Sequence, residues 1–181
     1  MHIWTDTPLK ELWNQLRYFC CTKNVIGVLS GSISSKRTKR WPVDALLEKR
    51  AEQVAACIRQ ADEYFSAAET VGLTTKPLLL YYGAQSLAKA LIIVKDEAAD
   101  LSQFRYHGLC TKPTTILDQN QQSEICSYRS NPDDWSVPSE FAITHEGVFQ
   151  RLVVAGDDMY VGKGHVILFG DVLRATPDLY Q

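Results

Sequence analysis

The sequence predicts a mainly α protein. A long antiparallel helix pair forms its spine, an N-terminal helix lies across that pair, and a small irregular and β portion closes the chain. Three observations predict this. Residues 43–71 carry a seam of Leu47, Ala51, Val54, Ile58, Ala61, Phe65 and Ala68, spaced alternately by four and three. That alternation marks a helix packed nearly parallel or antiparallel to a partner. Residues 78–94 are apolar on nearly every face, with Gln85 and Lys89 as the one polar stripe, the pattern of a helix covered on several sides. Only residues 72–76 join the two segments, and a short connection makes them antiparallel neighbours.

Taken in order, the chain opens with Thr7-Pro8, which starts a helix over residues 7–21. Leu9, Leu12, Trp13, Leu16 and then Phe19 or Cys20 give its apolar face at three-and-four spacing. Residues 22–30 read as a loop with some apolar content. Residues 31–40, GSISSKRTKR, read as a flexible loop ending in a basic tip. Gly72 is placed as the C′ residue of the seam helix. Thr74, Thr75 or Lys76 caps the central helix, and Pro77 suits its first turn, where a missing N–H is no loss. The seam is rich in alanine, and the central helix offers small residues to match it at Gly83, Ser86 and Ala90.

The charged run KDEAAD ends the central helix. Gly108 is expected to take a positive φ or to permit close backbone approach. Residues 111–139 are polar and read as irregular, with one short strand at most. Residues 140–147 alternate as a strand does. The next stretch, 147–158, fits a short helix or a second strand, and residues 166–169 fit a strand. The division expected is a helical core over 1–110 and a polar irregular segment with short strands over 111–181. No stop signal marks Leu179-Tyr180-Gln181, so a further C-terminal region is expected.

The totals exclude some classes. A net charge of −2 exerts no global pull on nucleic acid or membrane. Five cysteines are an odd number, and the polar, mixed start MHIWTDTPLKEL has no leader-like apolar core. Reduced thiols in a cytoplasmic protein follow. The central apolar run is short for a bilayer span and holds Gln85, Ser86 and Lys89, so no membrane association is expected.

Two stretches qualify as candidate sites. The basic loop offers Lys36, Arg37, Lys39 and Arg40 with Trp41 beside them. Such a patch can contact phosphates and stack a base, though four charges in ten residues more often mark a solvated loop. The exit from the central helix offers Arg105, Tyr106, His107 and Gly108. It joins a cation, an aromatic ring, a titratable imidazole and a permissive backbone. The bland alternative is that they merely end the helix, where a cation is favoured by about 0.3–1 kcal/mol.

Other signals are weaker. Residues 156–164, GDDMYVGKG, miss the phosphate-loop pattern in spacing and in the final hydroxyl residue, and a turn is expected there. His107, Cys110, Cys126 and His145 contain one ligand-like half-site but no close second pair. A Cys110–His145 nucleophile pair has nothing to favour it. The expectation is no cofactor, no metal and no catalytic residue. A protein partner or self-association is expected, with nucleic-acid binding at most weak.

The order Lys76-Pro77, an aliphatic run, Tyr82-Gly83, Leu87, Lys89-Ala90 and then His107-Gly108 resembles the bacterial YaaC-like proteins. Residues 170–179, GDVLRATPDL, look similar to a later segment of that family. The resemblance implies a cytosolic bacterial protein that works beside other enzymes or in phage defence. It implies no catalytic residue, and members are usually longer. Paired helices also bear an outline likeness to the HEPN ribonucleases, all-α dimers that cleave RNA. Their marker, an arginine and then a histidine with four to six residues between them, is absent from this sequence.

Overall fold

The computed structural model describes residues 6–34, 45–110, 141–157, 165–168 and 172. Contacts divide the chain into two units, Met1–Phe104 and Arg105–Gln181. The first unit holds α1 (Pro8–Tyr18), α2 (Thr22–Ser34), α3 (Ala45–Thr70), α4 (Lys76–Lys95) and a 3-10 turn, Leu101–Gln103. The second holds β1 (Leu109–Cys110), β2 (Phe141–Thr144), α5 (Val148–Asp157) and β3 (Val166–Leu168). The protein is mainly helical with a small antiparallel sheet.

The α3–α4 pair is the most extensive packing between elements. Its seam is the one the sequence marks out. Leu47, Ala51, Val54, Ile58, Ala61 and Ala68 are buried, and Phe65 is half-buried. Gly83, Ser86 and Ala90 of α4 are buried in turn. The reason for glycine at position 83 is geometric: a Cβ there would stand 2.8 Å from the Phe65 ring. Ser86 donates to the Tyr82 carbonyl at 2.9 Å and lies 3.1 Å from Gln60 Oε1 of α3.

Three expectations are corrected in this unit. Residues 22–34 form a helix, not a loop, and its last four residues come from the stretch read as flexible. Val25 and Leu29, one turn apart, are only 2% and 3% exposed. Their burial outweighs the cost of Gly27 and Gly31, about 1 kcal/mol each in a helix. Secondly, α4, expected to be covered on several sides, is less covered than its apolar composition suggests, since Leu78, Leu80, Tyr81 and Leu91 are exposed. Thirdly, α4 is long and apolar enough, by length and composition, to cross a membrane. Its small-residue face is nonetheless packed on α3. Thr75 precedes α4 without a side-chain cap bond. Gly72 follows α3 without a positive φ.

A polar clamp fixes the C-terminal end of α4. Arg50 of α3 is buried and donates to the Ile93 carbonyl at 2.6 Å and to the Asp96 carbonyl at 3.3 Å. A helix leaves its last carbonyls unpaired, and a cation there suits both the hydrogen bonds and the dipole. Beside it, Asp100 pairs with Lys49 at 2.6 Å and accepts from Gln53 at 3.1 Å and from the Ser102 N–H at 2.9 Å.

In the second unit the strand order is β1-β2-β3, antiparallel throughout. Leu109 faces Thr144, Cys110 faces Ile143, and Ala142 faces Ile167. Ile143 and Thr144 are both fully buried. Successive residues of a strand point to opposite faces, so β2 is covered on both. Residues 148–157, open between helix and strand on sequence, are helical. Gly156 therefore lies inside α5 and not in a turn, and most of the stretch that follows falls outside the described residues.

Ala61 is fully buried in the seam. Ala61→Leu should overpack the pair and cost about 1–3 kcal/mol, read as a lower urea midpoint. An unchanged midpoint would show that the pair can spread. A second expectation concerns pH. The hydrogen bond from Lys49, then those from Ser102 and Gln53, hold the Asp100 carboxyl well below the usual carboxylate range. A depressed folded-state pKa gives stability that is present above the unfolded value, about 3.9, and is lost as pH falls below it. Asp100→Asn should flatten the loss of stability below about pH 4. A slope identical to that of the parent protein would show that the clamp contributes nothing.

Candidate functional site

The predicted exit lies at the start of the second unit, and its backbone carries the structure. Arg105, Tyr106 and His107 are exposed, while Gly108 is buried. The carbonyl of Tyr106 accepts from the Val148 N–H at 3.1 Å, and that of His107 accepts from the Phe149 N–H at 3.0 Å. These are the first two residues of α5, whose N–H groups have no partner within the helix. The exit segment therefore caps α5 with its own backbone. The Gly108 carbonyl then accepts from the His145 N–H at 2.7 Å and leads into β1.

Two glycines make this crossing feasible. Gly108 has φ +88°, in the region that favours glycine, as expected from the sequence. A Cβ on Gly147 would stand 2.5 Å from the Tyr106 carbonyl oxygen and 2.6 Å from the Gly108 nitrogen. Both obstacles are backbone atoms and cannot swing aside. What fixes the exit is this contact between two backbones.

The side chains brought together are Tyr106 and His145, whose ring centres are 6.1 Å apart. The Nδ1–H of His145 donates to the Glu146 carbonyl at 3.1 Å. Among the described residues no group of three or more His, Cys, Asp or Glu is placed to hold a metal ion. Cys126 of the half-site considered above lies outside the described residues, as do Lys36, Arg37, Lys39, Arg40 and Trp41.

A second candidate site, in the first unit, was not singled out from sequence. It is an open apolar groove of about 840 Å³ between α1, the end of α3 and the start of α4. Leu9, Leu12, Trp13 and Leu16 form the α1 wall, Phe65 and Ala68 the floor, and Leu80 and Leu87 the α4 wall. No residue of α1 is buried, and Leu9 and Leu12 are 73% and 53% exposed. Trp13 meets Phe65 with ring centres 5.3 Å apart, and Arg17 forms two 2.8 Å bonds to Asp62. That pairing holds the Asp62 carboxyl below its ordinary range. The helix is thus anchored at one end of its apolar stripe and stands open at the other. The signal in the sequence was a surplus: α1 and α4 carry more apolar surface than α3 alone can cover.

The model of the YaaC-like protein family matches residues 30–181. The chain belongs to the YaaC-like family. No curated protein and no solved structure matches it. The family match begins in α2 and takes in α3, α4 and the second unit. The α1 wall of the groove lies before the matched span.

The crossing can be tested with a matched pair of substitutions. Gly147→Ala forces backbone apart and should cost at least about 2 kcal/mol. Gly156→Ala places a methyl in open space within α5 and should stabilise by about 0.5–1 kcal/mol. Thermal melts of both variants against the parent protein decide the matter. Equal melting temperatures would show that the crossing is not close.

Proposed function

We propose that this YaaC-like protein is a helical binding module that works by assembling with a protein partner or with itself, and not by catalysis. The observation that supports the reading is the open apolar groove of the first unit, with Leu9 and Leu12 solvent-facing on its wall. Large apolar side chains grouped around a groove mark an interaction surface far more often than a free one. The setting is the bacterial cytosol, as the resemblance implies, and a defence system is the context in which to seek the partner. RNA binding through Lys36, Arg37, Lys39, Arg40 and the His107 region is the second reading. It draws on the exposed Arg105, Tyr106 and His107.

The test is photo-crosslinking in the native host, with a photoreactive phenylalanine analogue at Leu12 or at Leu73. Leu73 is 86% exposed and does not line the groove. A discrete crosslinked protein product from position 12, absent from position 73, is the expected result. Nucleic acid recovered in its place, or the same products from both positions, would refute the reading.

A further inference from the structure

We propose that the groove between α1, α3 and α4 receives an amphipathic helix of a protein partner, with acidic residues flanking its apolar stripe. This rests on the partner-binding reading above and names the chemistry of the partner.

The secondary structure of the occupant follows from the walls. All three are helices, whose backbone groups beyond the first turn are paired within the helix. They offer no free edge to an extended peptide. A strand laid here would bury its own N–H and C=O groups unpaired, at about 1–3 kcal/mol each. A helix pairs those groups internally and presents only side chains. The wall residues also suit one. Leu9, Leu12, Trp13 and Leu16 recur at three-and-four spacing on α1, and Leu80 and Leu87 lie seven apart on α4. These are the spacings that receive an apolar stripe set at i, i+3, i+4 and i+7.

The charge of the occupant follows from the rim. Lys10, Arg17, Lys76 and Glu69 are its ionisable groups. Arg17 is bound to Asp62, so the rim is left with two lysines against the one carboxylate of Glu69. Lys10 and Lys76 remain, and neither forms an ion pair among the described residues. A partner helix that covers the groove brings its flanks past these two ammonium groups. Carboxylates there replace part of the lost hydration, and lysines would add repulsion. A second copy seated through the same groove brings Lys10 and Lys76 again, cations where anions fit.

The test uses the whole chain and two designed peptides of about five helical turns. Both carry leucine at i, i+3, i+4 and i+7. One has glutamates on the flanks and the other lysines. Fluorescence anisotropy at low salt should show the glutamate peptide binding at least about tenfold tighter, with the preference shrinking as salt rises. Leu12→Lys, at an exposed position, should weaken the glutamate peptide at least about tenfold with the melting temperature unchanged. Lys10→Glu combined with Lys76→Glu should reverse the preference. Equal affinities, a preference for the lysine peptide, or binding indifferent to Leu12→Lys would overturn the proposal. So would a concentration-dependent dimer in sedimentation that Leu12→Lys abolishes, since the groove would then belong to a second copy. Crosslinking at Leu12 to a partner without any charge preference would defeat this inference and leave the binding-module reading standing. Failure of both experiments would remove both.

Discussion

The first unit depends on how closely α3 and α4 approach. Ala51, Ala61 and Ala68 on one helix, and Gly83, Ser86 and Ala90 on the other, keep side-chain bulk out of the contact. The ring of Phe65 then fills the space above Gly83. Small residues bury little area each, so the pair gains by packing density and length more than by large apolar groups. Such a contact tolerates little change in volume. Leu47, Val54 and Ile58 share the seam, and bulky residues of α4 stay exposed.

That geometry accounts for the groove. Leu78, Leu80 and Tyr81 near the start of α4 stay exposed, while Tyr82 stacks on Tyr64 of α3 with ring centres 5.7 Å apart. The amphipathic α1 is tied down by Trp13 against Phe65 and by the Arg17–Asp62 pair, both towards the C-terminal part of its stripe. Its first turns keep Leu9 and Leu12 in solvent. An ion pair on the surface contributes little stability but fixes direction well. Here it sets α1 beside α3 without collapsing it onto α4. The polar clamp at the other end of α4 has the opposite character. Arg50 reaches buried carbonyls, and Asp100 gathers Lys49, Gln53 and Ser102. One end of the helix is therefore locked, and apolar side chains at the other stay exposed.

The second unit is organised by backbone instead of side chains. Tyr106 and His107 cap α5 with their carbonyls, and Gly108 and Gly147 allow the two chain segments to touch. Exposed Arg105, Tyr106 and His107 therefore ride on a rigid crossing. Rigid support beneath exposed side chains is how loops present binding groups. The same rigidity serves the fold whether or not those side chains bind anything.

Periodicity determined much of this protein without any coordinates. The alternating steps of four and three placed every buried seam residue of α3, because a helix seam follows from the residue repeat alone. The small residues of α4 and the conformation of Gly108 were likewise legible, since each rests on the size of one side chain. Tertiary structure decided the rest. Glycines and serines hid α2, whose helix exists because Val25 and Leu29 find a core. Arg50 carries no signal in the sequence, because only the fold brings it to the end of α4. The capping carbonyls of Tyr106 and His107 have no signature in sequence, as every residue carries a carbonyl. The groove was invisible for a related reason. Sequence tells which faces are apolar, but which of them remain uncovered depends on how helices far apart in the chain are placed, and that is a property of packing.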